Sequence, residues 1–510
     1  MLHTRRDFLR TLGATGACVS LSSGLLQAET MRERLAADPL RPQFHLLAPQ
    51  NWMNDPNGPI YWKGRYHMFF QYNPNAAVWG DMHWAHAVSP DMIHWRHLPV
   101  ALAPTPGWDD ADGCFTGSAV NNGGIATVVY TGVKTVAAEQ ATLCDGVHNF
   151  REVQCLATSS DPELRTWTKW KHPILQPPND PLLTGFRDPF LWRDGVNWYL
   201  GVGSGQRKQG GRILLYRSRK LREWEYLHPL ATGNWTGHDS VNPVDSGEMW
   251  ECPDFFPLGG KHVLLYSTAG QVLWETGEFD PKGLVFHSQK QGALDHGAYY
   301  AQKTQPDAKG NRILWGWVPE TRPESEFSAA GWAGCMALPR VLSLRADGVL
   351  EMRFAPEVQS LRAKSWKISS LEGHAPSALP ARTLQDIQIE NLAGEFSWHT
   401  KSPRSTFTLQ DRRGPWWSMT IEPREASTAK ISVNEKTAEL PVEPGQRFSF
   451  SLIVDTSVAE LICNARHAFT TRMYRKPDGP LKITLTDSGT QLESLETWQL
   501  RPISHDRLTS

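Results

Sequence analysis

Three short stretches of the sequence place a carboxyl residue beside or near a proline, and they hold the residues best suited to chemistry. They are NWMNDPNG with Asp55, FRDP with Asp188 and WECPD with Glu251. In such turn-rich, aromatic surroundings Asp55 could be a nucleophile, a base or a metal ligand, or it could simply stabilise a turn. Proline disfavours helical backbone in the preceding residue, and Asn-Gly is a turn signal. Asp55 alone favours the turn, but the three stretches together predict one acidic site.

The composition indicates a large, turn-rich β protein. The 510 residues are enough for two or three domains. The net charge is −1, from 52 Lys and Arg against 53 Asp and Glu, so neither nucleic acid nor an anionic membrane is predicted as a partner. The chain contains 22 Trp, 36 Pro and 41 Gly. This combination is typical of sugar-binding proteins, because the apolar faces of sugar rings stack on indoles, although most of the Trp residues are expected in the core.

The first 28 residues are predicted to be a twin-arginine signal peptide rather than part of the fold. They contain the pattern TRRDFLR around Arg5 and Arg6, followed by an uncharged segment over residues 11–27. That segment is too short and too weakly apolar for a stable membrane span. Because a twin-arginine signal is an address read by an export receptor, we expect cleavage after Ala28 and a periplasmic or secreted protein with no stable membrane span after processing.

The cysteines do not indicate a metal or redox site. Six remain after the signal peptide, and none forms a C-x-x-C pair, which argues against a zinc or thioredoxin-like site. Cys144 and Cys155 are the nearest pair in sequence, and a disulfide is permitted in the periplasm. Buried free thiols are the equal alternative. We predict no metal ion and no cofactor.

A repeated motif indicates propeller blades. Short strands separated by Gly, Pro, Asp and Asn turns run from residue 42 to about residue 340. Within them the motif recurs as SPDMIHW at residues 89–95, SDPELRTW at 160–167 and SRKLREW at 218–224. Its tryptophans are 72 and then 57 residues apart, a spacing that suits four-stranded blades with loops.

Five candidate blade openings accompany these repeats. They lie at residues 54–56, 115–118, 187–189, 251–253 and 295–297. If each opens the innermost strand of a blade, their side chains converge on the central funnel of the propeller. The scattered acidic stretches then belong to one site.

The last part of the chain has a different character. Apolar and polar residues alternate over residues 448–455, as in a half-buried strand, and residues 430–442 and 459–464 are similar. Strands with this spacing suggest a β-sandwich. Because it has no comparable acidic stretch, we expect it to support the catalytic domain. The predicted domains are a propeller over residues 38–340, a connector over 341–380 and a sandwich over 381–510.

Taken in order, the motifs resemble those of glycoside hydrolase family 32, the β-fructosidases. The resemblance covers roughly residues 42–474. It rests on the segments WMNDPNG (52–58), FFQYNP (69–74), WG (79–80), WAHA (84–87), CFTGSA (114–119), RDP (187–189), WECPD (250–254) and GWAGCM (331–336). It implies an all-β chain in which a five-bladed β-propeller catalytic domain is followed by a C-terminal β-sandwich.

The resemblance also implies roles for individual residues. Asp55 would be the nucleophile, Glu251 the general acid and base, and Asp188 a stabiliser of the transition state that holds fructose hydroxyls. The predicted substrate contacts are Asn54, Gln71, Trp79, Phe115, Thr116 and Arg187. We further expect Arg187 to position Asp188.

Three further expectations concern the surroundings of these residues. Trp250 and Phe255 are expected to shield Glu251 from water. Thr116 stands where the family usually has Ser, a change that keeps the hydroxyl. Residues 137–150 resemble an insertion, so the rim of the site there is expected to be particular to this protein.

These roles imply a retaining enzyme that releases terminal β-D-fructofuranosyl units from sucrose, inulin or levan by double displacement. Retention needs carboxyl groups about 5–5.5 Å apart, whereas an inverting glycosidase acting on arabinan or xylan, one alternative, separates them by about 6.5–9.5 Å. A second alternative is a non-catalytic propeller that binds fructan. The NDPNG and ECP stretches argue against the first, and the three carboxyl groups together disfavour the second. The preferred fructoside and the oligomeric state stay open.

Overall fold

The computed structural model describes residues 31–369, 386–387, 391–399, 404–424, 427–442, 447–486 and 491–504. The predicted signal peptide and the end of the predicted connector lie outside the described residues. Strands make up most of the described part, and none of its helices is long and apolar enough to cross a membrane.

Five antiparallel sheets form the blades of a propeller, numbered I to V along the chain. Blade I contains β1 (Asn51–Trp62), β2 (Arg65–Asn73), β3 (His83–Ser89) and β4 (Arg96–Leu102). Blade II contains β5 (Gly113–Asn122), β6 (Ile125–Thr135), β7 (Leu143–Cys144), β8 (Asn149–Ser159) and β9 (Thr168–Lys169), with a 3₁₀ helix at Ala138–Gln140. Blade III contains β10 (Leu183–Asp194), β11 (Asn197–Gln206), β12 (Gly210–Ser218) and β13 (Glu225–Thr232).

The last two blades complete the ring. Blade IV contains β14 (Glu251–Leu258), β15 (Lys261–Thr268), β16 (Gln271–Asp280) and β17 (Val285–Asp295). Blade V contains β18 (Tyr300–Pro306), β19 (Arg312–Val318), β21 (Cys335–Met336), β22 (Arg340–Leu344) and β23 (Leu350–Phe354); between β19 and β21 lie helix α1 (Glu324–Ala330) and β20 (Trp332–Ala333). The innermost strands contact one another in the order β1, β5, β10, β14, β18 and back to β1. Strand β20 also pairs with β1, so the chain itself closes the ring.

The second strand of each blade is largely buried, which is why its sequence reads as an apolar run. The predicted buried strands at residues 65–72, 125–130, 198–202 and 262–266 all lie in these second strands. Large side chains fill the space between adjacent blades; between blades I and II they include Phe69, Trp84 and Tyr130. Packing between blades therefore fixes the positions of the innermost strands.

The repeated motif joins the third and fourth strands of its blade. Ser89 ends β3 and Trp95 immediately precedes β4, and Ser218 and Trp224 take the same places in blade III. In the first copy, Asp91 accepts hydrogen bonds from the backbone N–H groups of the two residues before Trp95. This is a side-chain-stabilised turn, which explains the Ser and Asp of the motif.

Blade V differs from the prediction at both of its ends. Its innermost strand begins near Tyr300, whereas the predicted opening at residues 295–297 follows the last strand of blade IV. Its outer strands β22 and β23 reach Phe354, past the predicted domain limit at residue 340. The excursion through α1 separates β19 from β22 in sequence, which hides their pairing.

The sandwich consists of two sheets. One has the order β33-β32-β31-β26-β35-β24 and the other β25-β34-β27-β28-β29-β30. The strands are β24 (Arg362–Ser369), β25 (Asp386–Ile387), β26 (Asn391–His399), β27 (Ser405–Asp411), β28 (Gly414–Pro423), β29 (Thr428–Val433), β30 (Lys436–Pro441), β31 (Arg447–Asp455), β32 (Val458–Cys463), β33 (His467–Arg472), β34 (Leu481–Thr486) and β35 (Gln491–Leu500), and a 3₁₀ helix, Pro356–Leu361, precedes them.

Two of the predicted sandwich strands are confirmed and one is corrected. Residues 448–455 lie in β31 with Phe448 and Phe450 buried, and residues 459–464 overlap β32. Residues 430–442, however, form parts of two strands. Asn434, with a φ of 49°, turns the chain between them, and Asn tolerates this left-handed backbone better than most residues.

Five charged side chains join the sandwich to the propeller, and we call them the interdomain cluster: His45, Asp295, Arg340, Asp455 and Glu460. None of them is exposed. The two ring nitrogens of His45 lie 2.7 Å from Asp455 Oδ2 and 2.9 Å from Glu460 Oε1. Arg340 Nη2 donates to Asp295 at 3.0 Å and to Glu460 at 2.6 Å. The acidic residues of the sandwich therefore bind cations of the propeller domain.

The cysteines of the described part are buried free thiols: Cys114, Cys155, Cys252, Cys335 and Cys463. The alternative of a disulfide between Cys144 and Cys155 is thus not realised at Cys155. The side chain of Cys144 lies outside the described part of the chain.

Candidate active site

The innermost strand of every blade carries a β-bulge at a corresponding position. The register with the neighbouring strand shifts between Met53 and Pro56 in blade I, Cys114 and Gly117 in blade II, Arg187 and Phe190 in blade III, Glu251 and Asp254 in blade IV, and Tyr300 and Lys303 in blade V. A bulge leaves residues unpaired and re-aims their side chains. The polar residues at the five bulges include Asp55, Thr116, Asp188, Cys252 and Gln302, and they form a chain of contacts around the axis.

The bulges of three successive blades hold their backbone in the left-handed region. The φ angles are 63° at Asp188, 49° at Cys252 and 54° at Ala301. For residues with a side chain this conformation costs about 1–3 kcal/mol each and is typically found where function requires it. The left-handed backbone at these three bulges therefore helps to aim the side chains around the propeller axis.

A cavity of about 220 Å³ lies where the bulges meet. Its lining comes from all parts of the ring: Asn54, Asp55, Gln71, Trp79, Phe115, Leu143, Asp145, Thr184, Arg187, Asp188, Asn242, Pro243, Glu251, Tyr300 and Trp317. The structure therefore brings together every predicted site residue except Thr116 on one cavity surface.

Asp55 is held by donors on both of its carboxyl oxygens. Asn54 Nδ2 donates to Oδ1 at 2.9 Å, and the Thr116 hydroxyl donates to Oδ2 at 2.8 Å. Thr116 has no exposed surface and also accepts a hydrogen bond from Gln71 Nε2 at 2.5 Å. Thr116 therefore lies behind Asp55 and orients it, which differs from its predicted role as a substrate contact.

Asp188 is held by the bulge of the next blade. Its Oδ2 accepts hydrogen bonds from the backbone N–H of Cys252 at 2.9 Å and from the Cys252 thiol at 3.5 Å. Its own N–H donates to Thr131 Oγ1 at 3.0 Å. The same thiol lies 3.4 Å from Asp55 Oδ2, so Cys252 bridges the two aspartates.

Glu251 is gripped from two sides. Arg187 donates to Oε1 through Nε at 3.0 Å and Nη2 at 2.8 Å, and the Tyr300 hydroxyl donates to Oε2 at 2.7 Å. Hydrogen bonds from a cation and a phenol stabilise a carboxylate. These contacts fix the orientation of the Glu251 carboxyl group at the cavity.

Arg187 positions Glu251 rather than Asp188, contrary to the prediction. Its remaining nitrogen, Nη1, donates to Glu152 Oε1 at 2.8 Å. Glu152 is fully buried, and its other oxygen accepts hydrogen bonds from the Thr142 hydroxyl and the Phe186 N–H. Both Arg187 and Asp188 line the cavity, but the bulge and the positive φ of Asp188 re-aim the two side chains, so they bind different partners.

The expected shield of Glu251 is also different. Trp250 and Phe255 lie in the core between blades III and IV, and Trp250 stacks on Tyr266 with ring centroids 3.8 Å apart. The groups that contact the Glu251 carboxylate are Arg187 and Tyr300.

An aromatic wall borders the cavity beside Asp55. Trp79 is 37% exposed, and its ring centroid lies 5.8 Å from that of Phe115 and 4.8 Å from that of His148. An exposed indole held by neighbours can accept the apolar face of a sugar ring, and the substrate contact of Trp79 stays a prediction.

Tyr300, Glu152, Asp145 and Asn242 contribute to the site but were not predicted as site residues. Tyr300 opens the innermost strand of blade V, but it has no adjacent acid or proline to mark it in the sequence. Asp145 lies within the predicted insertion at residues 137–150. Glu152 and Asn242 have no local signal in sequence, because their roles depend on loops and strands of other blades.

The electrostatics of the cavity raise the pKa values of both of its aspartates. Burial raises the pKa of Asp55, and the charge of Glu251 adds to this against hydrogen bonds from Asn54 and Thr116. Burial likewise raises the pKa of Asp188, more than the charge of Arg187 lowers it. Shifts of this kind, at carboxyl groups that share a cavity, are typical of catalytic sites.

The arrangement places two carboxyl groups, each held by donors on both of its oxygens, beside an exposed indole. Among the described residues, His, Cys, Asp and Glu side chains form no group of three or more arranged to hold a metal ion. The organic side chains of the site are sufficient for acid–base and nucleophilic chemistry on a sugar.

The chain is similar to known proteins over most of its length. Residues 45–353 match the family model described as "Glycosyl hydrolases family 32 N-terminal domain". The chain is 34% identical to sucrose-6-phosphate hydrolase of Escherichia coli over 483 residues, 90% of this chain and 94% of that protein. It is 38% identical to raffinose invertase of Escherichia coli over 395 residues, 73% of this chain and 76% of that protein. The solved structure of fructan 1-exohydrolase IIa from Cichorium intybus has a TM-score of 0.78 and 25% identity, covering 91% of this chain and 98% of that one.

Proposed function

The chain belongs to glycosyl hydrolase family 32, and from this premise we propose that it is an exported, exo-acting, retaining β-fructofuranosidase. As a member it is a glycosidase that hydrolyses the O-glycosyl bonds of fructosides. The finer statements of mechanism, site residues and substrate are our proposal. The observation that carries it is the convergence of Asp55, Asp188 and Glu251, from three different blades, on one small cavity.

Asp55 is the nucleophile of the proposed mechanism. It attacks the anomeric C2 of the fructosyl unit while Glu251 gives its proton to the leaving oxygen, and a covalent fructosyl-enzyme results. Glu251, now a carboxylate held by Arg187 and Tyr300, then takes a proton from water, which attacks C2 and frees Asp55. Two displacements at the same carbon give net retention.

Asp188 has a binding role in this mechanism. Its Oδ2 is fixed by Cys252, which leaves its other oxygen for a sugar hydroxyl. A carboxylate that holds ring hydroxyls contributes orientation and binds the transition state more tightly than the substrate. Asn54, Gln71, Trp79 and Phe115 supply the remaining contacts of the fructosyl unit.

The size of the cavity supports exo action. Its volume of about 220 Å³ is below the roughly 300–1,000 Å³ of pockets that enclose drug-sized ligands. It therefore suits one terminal fructosyl ring, with the leaving sugar at the rim. Sucrose, raffinose, inulin and levan all offer such a ring.

The test is time-resolved NMR of the first product from sucrose, with chromatography of an inulin digest. We expect fructose to appear first as the β anomer and as single units. Initial α-fructose would instead identify an inverting enzyme, and early oligosaccharides would show endo cleavage. Binding of inulin without any turnover would indicate the non-catalytic alternative.

Export by the twin-arginine route is a separate part of the proposal, supported by the TRRDFLR pattern. Replacing Arg5 and Arg6 by Lys should leave the precursor in the cytoplasm, because the receptor reads the guanidinium pair. The measurement is activity in periplasmic and cytoplasmic fractions. Unchanged periplasmic activity would exclude this route.

A further inference from the structure

One side of the cavity mouth is formed by residues 137–150, which we call the blade II rim. Leu143 and Asp145 of this rim line the cavity. The rim also touches the segment before blade IV, since a Cβ atom at Gly146 would lie 2.4 Å from a methyl group of Val241. Asp145 is half-buried and Gly146 is exposed, so this side is the open end of the cavity, where the proposed mechanism places the leaving sugar.

Asp145 is fixed within this rim. Its Oδ1 accepts hydrogen bonds from the backbone N–H groups of Val147 at 2.8 Å and His148 at 2.7 Å, and its Oδ2 lies 2.9 Å from His148 Nδ1. The His148 ring in turn packs between Trp79 and Phe150, with centroids 4.8 Å and 5.1 Å away. Although burial would raise it, these hydrogen bonds lower the pKa of Asp145, so its carboxylate is ionised at neutral pH.

The lining as a whole is negatively charged. Four of its residues carry carboxyl groups, namely Asp55, Asp145, Asp188 and Glu251, and among the described lining residues only Arg187 is a cation. The Arg187 guanidinium is bound on one side by Glu152 and on the other by Glu251. Even with protons on Glu251 and on Asp188, whose pKa is raised, the ionised Asp145 has no unpaired cation beside it among the described lining residues.

Such a lining distinguishes neutral sugars from phosphorylated ones. Asp145 can accept hydrogen bonds from hydroxyl groups, whereas a phosphate offers mainly acceptor oxygens and about two negative charges at neutral pH. Like charges placed together across an interface oppose binding strongly. A phosphate on the leaving sugar would meet Asp145 with no unpaired cation in the lining to receive it.

We propose that Asp145 makes this enzyme selective for fructosides whose leaving sugar is uncharged and excludes those that carry a phosphate there. The inference rests on the proposed function, because it concerns the leaving-group side of the same site. It separates this chain from the Escherichia coli relative named sucrose-6-phosphate hydrolase, despite their similarity over most of both chains.

The experiment compares kcat/KM for sucrose and for sucrose carrying a phosphate on the 6-position of its glucosyl ring, at fixed ionic strength. We expect the phosphorylated substrate to be at least about 100-fold poorer for the wild-type enzyme. In Asp145→Asn the ratio of kcat/KM for sucrose to kcat/KM for the phosphorylated substrate should fall about 10-fold, mainly because the phosphorylated substrate is turned over faster. Asp347→Asn is the matched control, because Asp347 is 46% exposed, is paired with Arg345 in the turn between β22 and β23, and does not line the cavity; the ratio of the two kcat/KM values should stay as in the wild type.

Added salt provides a second reading that needs no variant. Asp145 is 27% exposed, so rising ionic strength should screen the repulsion between Asp145 and the phosphate. The difference in kcat/KM between the two substrates should therefore decrease in the wild type. Equal or better turnover of the phosphorylated substrate would overturn the inference, as would an equal change in the two variants. Turnover of neither substrate would contradict the proposed function itself, and the inference with it.

Discussion

Two clusters of buried charge, built from the same residue types, have opposite electrostatic characters. In the interdomain cluster, burial lowers the pKa of His45 but its contacts with Asp455 and Glu460 prevail and raise it to about 9. Burial raises the pKa of Glu460, but Arg340 and His45 prevail and lower it to about 2. Every charged group there contacts a group of opposite charge, and these contacts outweigh the effect of burial at His45 and Glu460.

In the catalytic cluster of Asp55, Arg187, Asp188 and Glu251 the balance runs the other way. The pKa values of Asp55 and Asp188 are raised, because burial is not offset by an equivalent cation. The comparison teaches that buried carboxyl groups stabilise the fold when each contacts a cation. Carboxyl groups beside a cavity that lack such a cation have raised pKa values and are suited to catalysis. The same carboxyl-to-amide change should therefore have different consequences in the two places.

The largest effect is expected on catalysis at Asp55. Asp55→Asn removes the proposed nucleophile and should lower kcat on sucrose by at least about 10⁴-fold. The amide can still accept the hydrogen bond from Thr116, so the thermal unfolding temperature should change little. Activity within 100-fold of the wild type would remove Asp55 from the mechanism.

The matching change in the interdomain cluster is Glu460→Gln. It leaves Arg340 and His45 without one buried anion and should lower the free energy of unfolding by about 3–5 kcal/mol. Because Glu460 does not line the cavity, kcat per folded molecule should stay within about twofold. Urea denaturation and active-site-normalised kinetics measure the two quantities. If Glu460→Gln were as stable as the wild type but inactive, the interdomain cluster would serve catalysis, and the distinction between the two clusters would be wrong.

His45 gives the interdomain cluster a pH signature. Its folded-state pKa of about 9 lies above its ordinary value of 6.5, so its stabilising contribution is complete below pH 6.5 and is lost as the pH rises through 9. The stability difference between the wild type and His45→Gln should therefore shrink by about 3 kcal/mol over this window. Denaturation curves between pH 6 and about 9.5 provide the measurement. Parallel pH dependences for the two proteins would contradict the assignment.

The smallest expected effect is the change in stability caused by Asp188→Asn. Its sign is opposite to that of Glu460→Gln, because the substitution should not destabilise the fold. The folded-state pKa is raised above the ordinary 3.8, so the ionised carboxyl destabilises the fold increasingly as the pH rises through that raised value. Asp188→Asn should lose most of its activity yet unfold at the same temperature or slightly higher at neutral pH, with a smaller difference in acid. A fall in unfolding temperature as large as that of Glu460→Gln would show that Asp188 fastens the fold.

The parts of this account that the sequence predicted have local causes. Asp55, Asp188 and Glu251 lie beside or near prolines at bulges, so each stretch carries its own signal. The repeat around Trp95 and Trp224 marks a turn that its own Ser and Asp residues stabilise. Such features predicted the blades and the convergence of the acids, whereas the sandwich was predicted from the alternation over residues 448–455 and from the family resemblance.

The parts that the sequence did not predict depend on distant contacts. Asp295 was placed at the opening of blade V, but it accepts hydrogen bonds from Thr470, 175 residues away, and belongs to the interdomain cluster. Arg187 adjoins Asp188 in sequence, yet it binds Glu152 and Glu251 of neighbouring blades. In both cases the local sequence suggested a place or a partner that differs from the one in the tertiary structure.

The most direct test of the central claim, that the catalytic cluster acts through Asp55, is to trap the covalent intermediate. In Glu251→Gln the second displacement lacks its base, while an aryl fructoside with a good leaving group needs no acid for the first. Rapid quenching, peptic digestion and tandem mass spectrometry then locate the fructosyl group. We predict one fructosyl unit on Asp55, absent from Asp55→Asn. A fructosyl unit on Asp188, or a burst of released phenol with no modified peptide, would contradict the account.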